Sequence, residues 1–286
     1  MGDIFAEEFG KHTFVRSQEK IAKYCVERQY LICQESLHDF AEGAGVSEVS
    51  VLNFVRKLGY EGFAEFKNKV YQRMVQEVGR QQEENRNLQE RMESNQKKRK
   101  PGSLRDSYYQ TAVDVIEGSL SQNSEKLYER VIGQILNSKK IFVVGTRNLN
   151  GEAERFFLGL SYLVDYAYHI AGDYNNILQQ LSSARKGDTL IFMCQSRYFK
   201  MDVAICDMAK KNGLHIILMS DRNISPISVF ADEILTFITD STSFFSSIVG
   251  LAAVYEYLFT ELAERLGGKP EKRWNQIDQY TEEFRL

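Results

Sequence analysis

The chain has 286 residues, 43% of them apolar, and a formal net charge of −3. That length holds one large domain or two ordinary ones, with enough apolar material for a buried core. The charge excludes a general polycation, so any contact with nucleic acid must rest on a local basic surface.

No basic region leads into an apolar run at the N-terminus, which argues against secretion and for a cytoplasmic protein. The longest apolar stretch, 246–259, carries Glu256 and is too short to span a bilayer, so no membrane partner is expected. Cys25, Cys33, Cys194 and Cys206 form no CxxC pair. Reduced thiols are expected, with neither a metal site nor a disulfide framework.

Residues 17–79 read as helices throughout. Ser17 is placed to cap a first helix containing Ile21, Tyr24 and Cys25 and running on to Ile32. Ser36-x-x-Asp39 resembles a capping box with Asp in place of Glu and opens a second helix. A third follows Ser47. A fourth covers 60–78, with Phe63, Phe66, Val70, Met74 and Val78 at helical spacing.

Counted from Leu37, Ala41 is fifth, Gly45 ninth, Val46 tenth, Val51 fifteenth and Phe54 eighteenth. This is the spacing of a helix-turn-helix. Ala41 lets two helices cross closely, Gly45 supplies the positive φ of a tight turn, and Ser47 caps the next helix. Val46, Val51 and Phe54 fill the space between the helices. With Val51, Phe54 and Leu58 inward, Glu48, Val49, Leu52, Asn53 and Arg56 face outward. Val49 and Leu52 suit thymine methyls, and Asn53 suits a bidentate contact to adenine. Arg56, Lys57 and Lys67 suit phosphates, which set register rather than read sequence.

The candidate DNA-contact set is therefore Ser47, Glu48, Val49, Ser50, Leu52, Asn53, Arg56, Lys57 and Lys67. Residues 53–73 carry Arg56, Lys57, Lys67, Lys69 and Arg73 against Glu61 and Glu65, a local basic excess that favours double-stranded DNA. The rival use of the same face is a protein partner packed on Val49 and Leu52.

Residues 81–100 are polar and charged, and Pro101-Gly102 breaks any helix. The basic run Lys97–Lys100 reads as a solvated helix end or a phosphate contact. Helices follow near 104–120 and 124–137, then strands at 140–145, 166–170, 188–194, 214–220 and 233–237, with helical segments between them, including 201–213. Continuous apolar strands alternating with helices imply a doubly wound parallel sheet covered on both faces. The expected organisation is an all-α helix-turn-helix domain over 1–79, a charged linker over 80–103, and a three-layer α/β domain over 104–286.

The string "SLHDFAEGAGVSEVSVLNFVRKLGYEGFAEFK" (36–67) resembles the N-terminal domain of RpiR-type transcription regulators. The shared features are the A-G-V-S turn, S-V-x-x-F, R-K-L-G, and Y-x-G-F-x-E-F-K. Asn53 stands where the family usually has Arg. The resemblance implies a second domain of the sugar isomerase (SIS) type, and 104–286 is similar to one in element order. It further implies a sensor of phosphorylated sugars, control of carbohydrate genes, and a homodimer or higher oligomer reading a pseudo-palindrome.

The family's binding parts are a Gly- or Ser-bearing turn after the first strand and an S-x-S-G-x-T loop after the third. Here the first is "GTRNLNG", with Asn148 and Leu149 in place of serines. The second is "CQSRYFK": Ser196 survives, Cys194 replaces Ser, Arg197 replaces Gly and Phe199 replaces Thr. The lost hydroxyls would have supplied charge-assisted bonds worth about 1.5–3 kcal/mol each. In one reading Arg147 and Arg197 replace them as anion ligands, beside Thr146, Asn148, Ser196, Ser241 and Ser243. In the other, Tyr198 and Phe199 plug the site. The departures favour an altered or lost phosphosugar site over a retained one.

Nothing in the sequence marks a catalytic set. There is no G-x-G-x-x-G, P-loop or H-E-x-x-H. His215 reads as a core residue and His169 as a strand end near the ligand edge. An isomerase would need a paired acid and base, and none is matched. The expectation is a regulator without cofactor. The apolar helix near 245–265 serves either a dimer contact or the core.

Overall fold

The computed structural model describes residues 5–28, 32–33, 35–83, 88–97, 99, 101–223 and 225–284. It divides into two compact units, Met1–Glu84 with Asn223–Val229, and Asn85–Arg222 with Phe230–Leu286.

The first unit is helical: α1 (Ala6–Phe9), α2 (Arg16–Glu27), α3 (Leu37–Ala44), α4 (Glu48–Lys57) and α5 (Phe63–Glu83). Its core gathers Phe5, Ile21, Phe40, Ala41, Val51, Phe54, Val55, Phe66, Val70 and Met74. Each large side chain there contributes about 1.5–3 kcal/mol by leaving water. Aromatic edges lock the helices together, with Phe40 against Phe63 at 5.1 Å and Phe14 against Phe54 at 5.3 Å.

The Ser36–Asp39 capping box forms as read: Ser36 Oγ accepts from the Asp39 N–H at 3.1 Å, and Asp39 Oδ2 from the Ser36 N–H at 3.3 Å. Gly45 closes α3 at φ 63°, ψ 44°. A Cβ there would meet nothing within 4 Å, so the turn needs the glycine for its dihedral alone.

Three helix expectations need correction. Val15, not Ser17, is the N-cap of α2, and Gln18 Oε1 accepts from the Val15 N–H at 3.3 Å. Helix α2 stops at Glu27, so Ile32 is buried outside it; no Gly or Pro marks that stop, and apolar spacing alone overran it. Helix α5 starts at Phe63, because the Glu65 carboxylate takes the Glu61 N–H at 2.7 Å and fixes the entry. Val55 also joins the buried face of α4, while Val46 and Leu58 are only half-buried.

The second unit runs α6 (Leu88–Lys97), α7 (Leu104–Ser121), α8 (Glu125–Asn137), β1 (Ile141–Gly145), α9 (Asn150–Leu163), β2 (Ala167–His169), α10 (Tyr174–Leu181), β3 (Thr189–Cys194), α11 (Lys200–Lys211), β4 (His215–Ser220), β5 (Glu233–Thr236), α12 (Val249–Leu266) and α13 (Glu271–Thr281). The strands form one parallel sheet in the order β2-β1-β3-β4-β5. Ile141, Val143, Ile191, Met193, Ile217 and Met219 pack on α8, α9 and α12. The alternate residues, among them Leu190, Phe192, Ile216 and Leu218, are buried on the other face, which α10 and α11 cover.

The chain is therefore an all-α helix-turn-helix unit joined to a three-layer α/β unit. Helix α12 buries Leu251, Val254, Tyr255, Leu258 and Leu262 within its own chain, and Phe259 packs on Gly159. The exposed apolar group lies before it, at Phe245 and Ile248. Helix α13, unread from sequence, is tied by the Trp274 indole N–H donating to Tyr162 O at 2.8 Å. Among the described residues no helix is long and apolar enough to cross a membrane.

Candidate nucleic-acid interface and effector site

The Gly45–Val46 turn hands the chain to α4 with its own bonds closed. Val46 N–H reaches Ala41 O at 3.0 Å, and Ser47 Oγ accepts from the Ser50 N–H at 3.2 Å. Ser47 and Ser50 also bond to each other through their hydroxyls at 2.9 Å. These two serines hold the first turn of α4 and orient its N-terminus. Beyond them Val49 is 64% exposed, Asn53 and Arg56 are exposed, and Leu52 is half-buried. Exposed Glu48 meets His38 at 3.1 Å.

The remaining basic candidates are engaged inside the unit. Lys57 Nζ donates to Thr13 O at 2.6 Å and to Gln18 Oε1 at 2.9 Å, and lies 5.5 Å from the Phe14 ring. Lys67 Nζ donates to Glu35 O at 2.8 Å. Arg73 grips Glu8 with both terminal nitrogens, at 2.6 and 3.1 Å, and one of them also reaches the Tyr60 hydroxyl at 3.0 Å. Burial would raise the Glu8 carboxyl, but the bonds from Arg73 and Tyr60 overcome it and hold the group below its ordinary value. Arg56 and Lys69 are exposed cations of the 53–73 stretch, and Lys57 is exposed as well despite its internal bonds. Arg16, exposed at the start of α2 beside the Gln18–Lys57 bond, joins them; apolar periodicity gave no reason to single it out. Of the linker's basic run, Lys98 and Lys100 lie outside the described residues. Arg99 donates to Thr242 O at 3.2 Å, and Asn95 to Ser243 O.

In the second unit the strand order reverses between β1 and β3. A crevice beyond the carboxyl ends of the strands at such a point is where α/β sheets bind ligands. Gly145 ends β1, and a Cβ there would collide with Leu149 O at 2.2 Å and Ala153 Cβ at 2.7 Å, so the close turn into α9 requires glycine. Arg147 and Arg197, just past β1 and β3, are the non-glycine residues with positive φ among those described, at 56° and 75°. Each such conformation costs about 1–2 kcal/mol for a residue with a Cβ. Arg197 thus holds a left-handed backbone that glycine would adopt without strain.

The Arg147 guanidinium lies 4.5 Å from the Phe199 ring centre, 3.4 Å from Gln195 O and 3.9 Å from Asp202. Phe199 is 49% exposed, with the Arg147 guanidinium over its ring. Tyr198 turns inward, its hydroxyl donating to Asp221 at 2.8 Å. Burial pushes that phenol well above its ordinary value. Ser196 gives its N–H to Asp221 Oδ1 at 2.9 Å and its hydroxyl to Oδ2. Thr146 Oγ1 and Gln195 Oε1 are buried without a hydrogen-bond partner. These two residues directly follow β1 and β3, so both atoms sit at the carboxyl ends of those strands.

The structure thus brings Thr146, Arg147, Ser196 and Arg197 to adjoining strand ends, with Asn148 exposed beside them. Ser241 and Ser243 bond within their own loop after β5, the Ser243 N–H to Ser241 Oγ at 3.1 Å. Sequence reasoning missed Asp202 and Asp221. Asp202 is fully buried and accepts from the Phe199 N–H at 2.9 Å as the cap of α11, a helix-start signal open to reading. Asp221 had no such local signal. His169 stacks on Phe157 at 6.0 Å, and burial lowers its pKa. His215 opens β4, at the amino ends of the strands and away from the carboxyl-end site, and burial lowers its pKa too. Among the described residues no cluster of His, Cys, Asp or Glu could hold a metal.

Residues 8–77 match the family described as "Helix-turn-helix domain, rpiR family", and residues 134–261 match the SIS domain. An HTH-type transcriptional regulator of Haemophilus influenzae is 25% identical over 227 residues, 78% of this chain and 75% of its own length. One from Clostridium perfringens is 21% identical over 271 residues, covering 93% and 94%. Among solved structures, the sugar isomerase domain of an RpiR transcription factor from Sphaerobacter thermophilus matches 62% of this chain and 99% of its own, with TM-score 0.59 and 22% identity. The Vibrio vulnificus NanR protein complexed with ManNAc-6P matches over 100% of both chains, with TM-score 0.56 and 16% identity.

Proposed function

Since the chain belongs to the RpiR family of transcription regulators, a helix-turn-helix domain joined to a SIS domain, we propose that it binds operator DNA through the exposed face of α4 and tunes that binding to a small anionic metabolite. The carrying observation is the state of α4. Its caps and core contacts are closed within the unit, while Val49, Asn53 and Arg56 are left to solvent. Asn53 offers adenine a bidentate amide, Val49 packs on a thymine methyl, and Arg56 and Arg16 take phosphates. Lys57 and Lys67 act indirectly, by bracing the module that presents α4.

A two-fold pair of chains would place two such helices one duplex turn apart and read a pseudo-palindrome. The effector's charge goes to the crevice at the ends of β1 and β3, where Arg147 is prepositioned and the Thr146 hydroxyl is unpartnered. NanR, complexed with ManNAc-6P, supports an anionic sugar derivative as its class. Asp202 and Asp221 are both committed to internal donors, which favours a sensor over an acid–base enzyme.

Selection from random duplexes at several salt concentrations tests this directly. One motif should be enriched, with affinity falling steeply as salt rises. Asn53→Ala should lose about 1–3 kcal/mol of discrimination at one base position without loss of thermal stability. An absence of any preferred duplex would overturn the operator assignment.

A further inference from the structure

We propose that Asp221 is a built-in anion that fills the oxyanion cradle after β3 and keeps phosphate groups out of it. This rests on the effector assignment above and narrows it: the metabolite's charge is received by Arg147 at the end of β1, not by the loop after β3.

The cradle consists of the Ser196 N–H, the Ser196 hydroxyl and the Tyr198 hydroxyl, all three donating to the Asp221 carboxylate. Arg222 Nε backs it, 3.2 Å from Ser196 Oγ and 3.9 Å from Asp221 Oδ2. The Asp221 side chain is 7% exposed. A buried carboxylate needs such donors, and the donors need an acceptor, so the pairing holds itself in place. Sheet register delivers the carboxylate: Cys194 pairs with Ser220, which sets the residue after β4 against the loop after β3.

A phosphate entering this loop would find its donors taken and a like charge already buried among them. Arg147 is differently placed. Its guanidinium carbon lies 4.5 Å from the Phe199 ring centre, clear of the Asp221 donors, and its fork of N–H groups suits a carboxylate. The class of effector that fits is a small anion, a carboxylate above all, that Arg147 can receive without donors from the loop after β3.

The test uses the full chain with inorganic phosphate as probe, read by thermal unfolding and calorimetry. Asp221→Ala leaves the three donors vacant, so phosphate should raise its melting temperature and bind at least tenfold tighter than to the wild type. Asp221→Asn, which removes the charge and keeps the shape, should gain less. Adding Ser196→Ala to Asp221→Ala should abolish the gain. Equal phosphate response in wild type and Asp221→Ala would overturn the assignment, as would unfolding of Asp221→Ala that phosphate does not reverse. A wild-type response to phosphate that Ser196→Ala weakens removes the role of Asp221 and leaves the effector crevice standing. Loss of any Arg147-dependent anion response in both proteins removes both.

Discussion

Both candidate surfaces are built on a left-handed turn beside a serine, and they use it in opposite ways. At Gly45 the residue is glycine, nothing crowds it, and Ser47 caps α4, so the outward side chains stay available. At Arg197 the residue carries a Cβ, and Ser196 directs its donors to Asp221. One turn presents side chains to solvent; the other closes a loop on a carboxylate from its own chain. A turn's dihedral alone does not say whether a surface is open. That depends on where the neighbouring donors go.

The largest way to break this contrast is Gly45→Val, which forces a β-branched residue into the left-handed region. It should cost about 2–3 kcal/mol in chemical denaturation and weaken DNA binding with it. Gly45→Asn should be mild, because Asn tolerates that region. Equal losses in the two variants would mean that space, not dihedral, makes the glycine necessary.

Acid tests the brace behind α4. The Glu8 carboxyl is lowered in the folded state, so its contribution is complete above the unfolded carboxyl range, about pH 4.3, and disappears as pH falls through its lower folded value. Glu8→Gln should cost about 1–2 kcal/mol at neutral pH and flatten the acid limb of the helical unit's stability curve. An unchanged acid limb would mean that other carboxylates set it.

The finest test compares Arg197→Gly with Arg197→Ala. Both lose the side chain, but only alanine keeps the Cβ at φ 75°. The glycine variant should be the more stable by about 1 kcal/mol, the reverse of the order in an ordinary helix. The opposite order would place the strain elsewhere in the loop.

What could be read in advance followed the range of the interactions. The Ser36–Asp39 box, the Gly45 turn and the Ser47 cap involve neighbours within a few residues, and each formed as expected. Strands β1, β3 and β4 were legible because a strand buried on both faces is apolar throughout, while the half-exposed β2 and the Glu233-bearing β5 gave weaker signals. The end of α2 was not, since apolar spacing continues past a stop that carries no Gly or Pro. Lys57 and Lys67 looked like free cations, because the groups that hold them lie 44 and 32 residues away.

The sequence by itself determined the two kinds of layering, the helix-turn-helix, and the residues that α4 turns outward, all of which depend on periodicity and local caps. Only the tertiary structure decided which charges remain for another molecule. Arg73 was drawn to Glu8 and the Ser196 donors to Asp221, across 65 and 25 residues. A hydrogen bond made between distant segments exists only once packing and strand register have brought them together.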